Sequence, residues 1–241
     1  MNASSKVIGV SALVTVLAAV TTLVVLNKPL PVLHTEQKPA PPKLSALEEY
    51  LANPPVVVDA PWAKSTPPHE SIPNSLKQFT SGDTEHKRAV AIGFLAYTAD
   101  QMARVPETQD AAKEVLEKWV IPNIDMTKML PHTSGYRWKN TVSSVGWTYK
   151  NLGNQAASRA YFALICYEGK TQDDREQAVY HLAYDFIKSQ EYQEAIDTYN
   201  TLPADSRWAD QRPRIIEIWK NKLAEKEKAE QQTQDQQKSE R

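Results

Sequence analysis

Residues 142–165 read VSSVGWTYKNLGNQAASRAYFALI, and 37 positions further on residues 179–202 read VYHLAYDFIKSQEYQEAIDTYNTL. The shift places Val142, Val145, Gly146, Tyr149, Gln155, Ser158, Phe162 and Ile165 on Val179, Leu182, Ala183, Phe186, Tyr192, Ala195, Tyr199 and Leu202. In both stretches the apolar residues recur at i, i+3 and i+4 and do not alternate with period two, which is the signature of a helix with one buried face. Each breaks once, near Gly153 and near Ser189-Gln190. The pattern therefore predicts two helical hairpins of one layout. A small residue on each helix, Gly146 opposite Ser158 and Ala183 opposite Ala195, allows two antiparallel helices to cross closely while the aromatics fill the flanking holes.

Working outward, the same spacing fills most of the chain from Asp83 onward, so the predicted fold class is all-α. A helix is expected from Thr84 to Val105, carrying Val90, Phe94, Tyr97 and Met102 and ended by Pro106. A second, Thr108 to Ile121, presents Ala112, Val115, Leu116 and Trp119 and is expected to stop at Pro122. Residues 122–136 read as a loop with one helical turn around Met126 to Leu130. Past the hairpins a helix from Pro213 offers Ile215, Ile216, Ile218, Trp219 and Leu223 for packing, with Asp210 near its cap. The Gln-, Lys- and Glu-rich end reads as a frayed helix and disordered tail, residues 223–241.

The N-terminal third is built differently. Residues 7–26 hold no charge, and 20 helical residues at about 1.5 Å each span roughly the hydrocarbon core of a bilayer. This segment is expected to be a single-pass transmembrane anchor; the alternative is a cleaved secretory signal, with Lys6 as its basic flank and Val16-Leu17-Ala18 as its cleavage site. The run is longer than a signal's apolar region, which favours the anchor. The expected topology puts the C-terminal domain outside the cytoplasm, which is the periplasm if the protein is bacterial, although Lys28, Lys38 and Lys43 oppose the positive-inside bias. Residues 29–73 contain 11 of the 16 prolines and none of the 7 glycines, so residues 28–82 read as an extended, stiff linker. Inside it, Ser45-Ala46-Leu47-Glu48 matches a capping box, and Leu44, Leu47, Tyr50 and Leu51 share one face of a short helix.

The 28 Lys and Arg against 29 Asp and Glu leave no electrostatic case for nucleic acid. A lone cysteine, Cys166, excludes an intrachain disulfide and reads as a buried, inert thiol. The five histidines have no partner at metal-ligand spacing, and His181 with Asp185 reads as a surface hydrogen bond one helical turn apart. No cofactor is expected. His132-Thr133-Ser134-Gly135 sets a base beside a hydroxyl, but no third group completes a catalytic constellation.

The hairpin layout resembles the tetratricopeptide repeat, above all in Gln190-Glu191-Tyr192-Gln193-Glu194-Ala195-Ile196, which stands where that family has its Gly-x-Tyr-x-x-Ala-Ile/Leu run. The first unit departs from the pattern at Gln155 and Ser158 and in its 37-residue spacing. The resemblance implies a helical repeat domain over residues 83–222 that binds protein segments on the surface made by the first helix of each hairpin. Carried over by position, that surface comprises Asn140, Ser143, Trp147, Lys150 and Asn151, then Gln177, Tyr180, Tyr184 and Lys188. Mixed aromatic and polar side chains suit a peptide groove, although Trp147, Tyr180 and Tyr184 at helical spacing equally suit a core. The functional expectation is a membrane-anchored, non-catalytic scaffold or assembly factor of a membrane or envelope complex. The alternatives are a passive structural subunit without a groove and, more remotely, an anchored or secreted hydrolase.

Overall fold

A computed structural model describes residues 44–239. These residues form nine α-helices joined by short turns, with no strand among them. In chain order they are α1 (Ala46–Ala52), α2 (Pro68–Ser81), α3 (Glu85–Ala103), α4 (Gln109–Val115), α5 (Trp138–Asn151), α6 (Gln155–Glu168), α7 (Gln172–Lys188), α8 (Tyr192–Asn200) and α9 (Arg212–Ser239). The all-helical class follows from the sequence, and so does the start of α3 after Thr84. Thr84, Asn154 and Thr171 each accept a hydrogen bond from a first-turn amide through the side chain, which satisfies donors the helix leaves unpaired.

The linker expected over residues 28–82 must be corrected over its second half. Ser45 and Glu48 close the capping box of α1, whose Leu47 and Tyr50 are buried against the domain. Pro67 and Pro68 occupy the cap and first position of α2, where a missing amide proton costs nothing, and Pro73 lies on its exposed face. Proline density thus concealed an amphipathic helix. Ile72, fully buried, and Leu76 and Phe79, packed against the same core, fall at i, i+4 and i+7. Residues 28–43 and the apolar run 7–26 lie outside the described residues. No described helix is long and apolar enough to cross a membrane.

Two further boundaries differ. Pro122 does not stop a helix: after Val115 the chain widens into one π-helical turn, Leu116–Val120, and tightens into a 3-10 stretch, Ile121–Met129, with Pro122 near its start. Residues 223–239, expected to fray, continue α9 as helix, with side chains exposed from Glu227 to Lys238.

From α5 to α9 each helix packs on the next in chain order, and α5 packs equally on α3. One core gathers α1 to α4 with Val145 of α5; a second is made by Trp138, Val142, Phe162, Ile165 and Ala178; a third joins α7 and α8 to Trp219 of α9. The close approach at Gly146 is to the Phe162 ring, since a Cβ there would lie 3.1 Å from its nearest carbon. Ser158 is fully buried, and its hydroxyl has no hydrogen-bond partner.

The two hairpin turns share a left-handed residue at positions 37 apart, Gly153 at φ 77° and Gln190 at φ 58°. Glycine adopts that conformation freely, whereas a side chain costs about 1 kcal/mol there. Gln190→Gly is therefore expected to stabilise the fold by up to about 1 kcal/mol, read as a rise in denaturant midpoint at unchanged slope. A loss of stability would mean that the Gln190 side chain contributes more than its backbone geometry costs.

Candidate functional site

The face carried over from the family resemblance is the seam between α5 and α7, and side chains bridge it along its length. Arg137 grips Asp174 with both guanidinium nitrogens at 2.8 and 3.3 Å. Further along, Lys139 Nζ donates to Gln177 Oε1 at 2.6 Å, Trp147 meets the His181 ring edge-on at 5.4 Å, and Lys150 Nζ donates to Asp185 Oδ1 at 2.5 Å. The bridged residues are 34 to 38 positions apart.

Asp185 is the centre of the last bridge. Only 3% of its side chain is exposed, and it also accepts from Arg159 Nε at 2.9 Å and Gln155 Nε2 at 3.1 Å. Arg159 in turn holds Glu191 with both terminal nitrogens at 2.9 and 2.8 Å. Burial raises the Asp185 carboxyl, but the hydrogen bonds from Lys150, Arg159 and Gln155 outweigh it and bring its pKa below the ordinary carboxylate value. The expected surface bond between His181 and Asp185 does not form; Asp185 is taken by three cationic or amide donors and His181 by aromatic rings.

An aromatic row runs from α5 to α9. Trp147 packs on Phe162 at 5.0 Å, His181 links Trp147 to Tyr180, and Tyr180 stacks on Trp208 at 4.8 Å with an interplanar angle of 14°. Tyr180 also meets Tyr184 at 4.5 Å, and Tyr184 meets Trp219 of α9 edge-on at 5.9 Å. Burial, reinforced by the ammonium groups of Lys139 and Lys150, lowers the His181 pKa. An unfolded histidine takes its proton near pH 6.5, so below that value the unfolded chain binds more protons than the folded one and stability falls. The melting temperature is expected to decline from about pH 7 to about pH 5, with His181→Phe removing part of the slope. An identical pH profile in the variant would mean that other groups carry it.

Of the nine carried-over residues, the structure brings Trp147, Lys150, Gln177, Tyr180 and Tyr184 into these contacts. Trp147 and Lys150 point inward to partners of their own, which removes them from a free binding surface; Lys150 also sits 5.2 Å over the Trp147 ring. Asn140 bonds to the Gly135 carbonyl at 3.0 Å and Asn151 to Asp100 Oδ1 at 3.3 Å, both within the domain. Ser143 is half-buried, and Lys188 is exposed at the end of α7. Tyr184 remains as the large apolar side chain of the face that is open to solvent, 38% exposed.

Sequence reasoning missed Asp185, Arg159, Glu191 and Trp208 as members of this region. Asp185 lies 35 positions from Lys150 and 26 from Arg159, and Glu191 lies 32 from Arg159, so the 37-residue shift does not pair them. Cys166 is half-buried, and burial pushes its thiol up to about 12. His132 lies against Arg137, and no cluster of three metal-ligating side chains occurs among the described residues. No family model matches the chain, and no curated protein or solved structure matches it either.

Proposed function

We propose that the protein is a membrane-held, non-catalytic interaction module of tetratricopeptide type. It docks a segment of another protein on the α5/α7 face, centred on Tyr184, in the assembly or operation of a membrane or envelope complex. The observation that carries the reading is Tyr184 itself: a half-exposed ring fixed on one side by Tyr180, which stacks on Trp208, and on the other by Trp219. A pre-ordered aromatic loses little freedom on binding, which is why such residues dominate interface energetics. The 37-residue correspondence of the hairpin turns supports the repeat reading. The uncharged run 7–26 supports the anchor, and an extracytoplasmic domain follows from the N-in orientation proposed for it.

The packed Trp147 and the paired Lys150 favour a second reading, a structural subunit whose helices form a bundle without a groove. Cross-linking and mild-detergent purification of the tagged full-length chain from its native membrane separate the two. A stoichiometric partner lost in Tyr184→Ala and weakened in Lys188→Glu supports docking on this face. A partner retained in both variants, cross-linked only through residues N-terminal to α3, supports the structural subunit.

A further inference from the structure

Four carboxylates are buried among the described residues: Asp100, Asp174, Asp185 and Glu176. Three of them are held by cations. Arg104 pairs with Asp100 at 2.6 Å, Arg137 with Asp174 at 2.8 Å, and Lys150 and Arg159 with Asp185 at 2.5 and 2.9 Å. Glu176 on α7 is the exception: it is only 4% exposed, yet no cationic side chain lies within ion-pair distance of it among the described residues. Its Oε1 accepts from Gln172 Nε2 at 2.7 Å, and that amide is shared with Asp205 at 3.2 Å. Its Oε2 accepts from no donor, and it is not sealed off as the unpartnered indole nitrogen of Trp138 is. A carboxylate taken this far out of water is costly unless it is both paired and fully hydrogen-bonded.

Glu176 forms part of the wall of a cavity of about 480 Å³ bordered by α6, α7 and the end of α8. That volume is within the range of sites that enclose small molecules, whose walls are mostly apolar with a few polar groups. Here Val179 and Leu182 of α7, with Leu202 and Pro203 beyond α8, supply the apolar wall. Arg175 lines the same cavity. It is half-buried, donates through Nη1 to the Gly169 carbonyl at 2.6 Å, and likewise has no oppositely charged partner among the described residues. The two neighbours in sequence thus bring unpaired charges of opposite sign to one cavity. A purely cationic ligand would meet Arg175 and a purely anionic one Glu176, whereas a ligand of both signs complements each.

We propose that this cavity binds a small zwitterion, an α-amino acid with an apolar side chain. Its ammonium group donates to Glu176 Oε2, its carboxylate accepts from the Arg175 guanidinium, and its side chain lies against Val179, Leu182 and Leu202. The guanidinium fork suits a planar carboxylate, and the ammonium group supplies the cation that Glu176 lacks. No wall residue of this cavity belongs to the Tyr184 face, so the site stands or falls independently of docking there.

Equilibrium dialysis of the full-length protein in detergent against radiolabelled L-leucine and L-phenylalanine tests this. Isoamylamine and isocaproate, each of which lacks one of the two charges of leucine, serve as competitors. Saturable binding of either amino acid, with both single-charge analogues weaker by about tenfold or more, supports the proposal. Glu176→Gln keeps the side-chain shape and an acceptor for Gln172, so it is expected to weaken binding about tenfold or more. Because it removes an unpaired buried charge, it should also melt no lower than the unaltered protein when no ligand is present. Arg175→Gln is expected to bind leucine no better than isoamylamine. Should a variant fold poorly, the analogue series decides without it. No saturable binding of either amino acid up to about 10 mM overturns the proposal, and so does a Glu176→Gln variant that binds as tightly as the unaltered protein. Equal binding of either single-charge analogue overturns it too, since the ligand then needs one charge alone.

Discussion

Asp185→Ala is expected to destabilise the protein by about 3 kcal/mol, because it strands charge that the fold has already removed from water. The carboxylate is almost wholly buried, while Lys150 and Arg159 keep 27% and 20% of their side-chain exposure. Without Asp185, Lys150 loses its only ion-pair partner among the described residues, and Arg159 retains Glu191 alone. Asp185→Asn preserves an acceptor for the same donors, so its loss is expected to be about half as large. Chemical denaturation followed by tryptophan fluorescence checks both. A loss below about 1 kcal/mol for the alanine variant would mean that water reaches the lysine and arginine as readily as in an exposed pair.

Gly93→Ala is expected to cost about 3 kcal/mol, against the direction set by helix propensity, by which alanine in place of glycine gains about 1 kcal/mol. Gly93 lies in the middle of α3 beneath the segment that leads into α5. A methyl group there would come within 2.5 Å of Tyr136 Cβ and 2.7 Å of its carbonyl oxygen. Neither obstacle is a flexible tip; one is backbone, and the other is the first carbon of a side chain whose ring packs on Phe94 at 5.7 Å. Relief therefore requires the whole Gly135–Arg137 turn to move away from α3. A stabilised Gly93→Ala variant would show that this turn moves without cost.

The helices with the strongest period were legible in the sequence. The 142–202 pattern reads as helices because small, aromatic and branched residues repeat at matching helical positions, and local geometry enforces that spacing. Helix α2 is hidden in the sequence because the proline density of residues 29–73 reads as an extended linker, whereas Pro67 and Pro68 stand at a cap and first position, where proline is neutral. The role of Gly93 was invisible for a different reason: the segment it makes room for lies more than forty residues away in the chain, and a helical glycine carries no mark of what crosses it. The aromatic and cationic positions of the α5/α7 face were identified by type, but their orientation was not. Trp147 and Lys150 suited a groove by chemistry and were claimed by Phe162, His181 and Asp185.

The order in which the helices pack has a consequence for how the chain acquires its structure. From α5 onward each helix meets its successor, so loop-closure entropy is small and these helices can form and dock one after another as soon as they exist. The first core differs. Helix α1 is fixed to α4 by a bond from the Leu47 amide to Glu114 Oε2, across 67 positions, a contact that forms only once α4 is in place. During vectorial synthesis the segment containing α1 therefore waits while the next sixty or so residues are made. Early folding is local and late-forming order is N-terminal, so pulsed hydrogen exchange during refolding should protect the α5–α8 amides before those of α1.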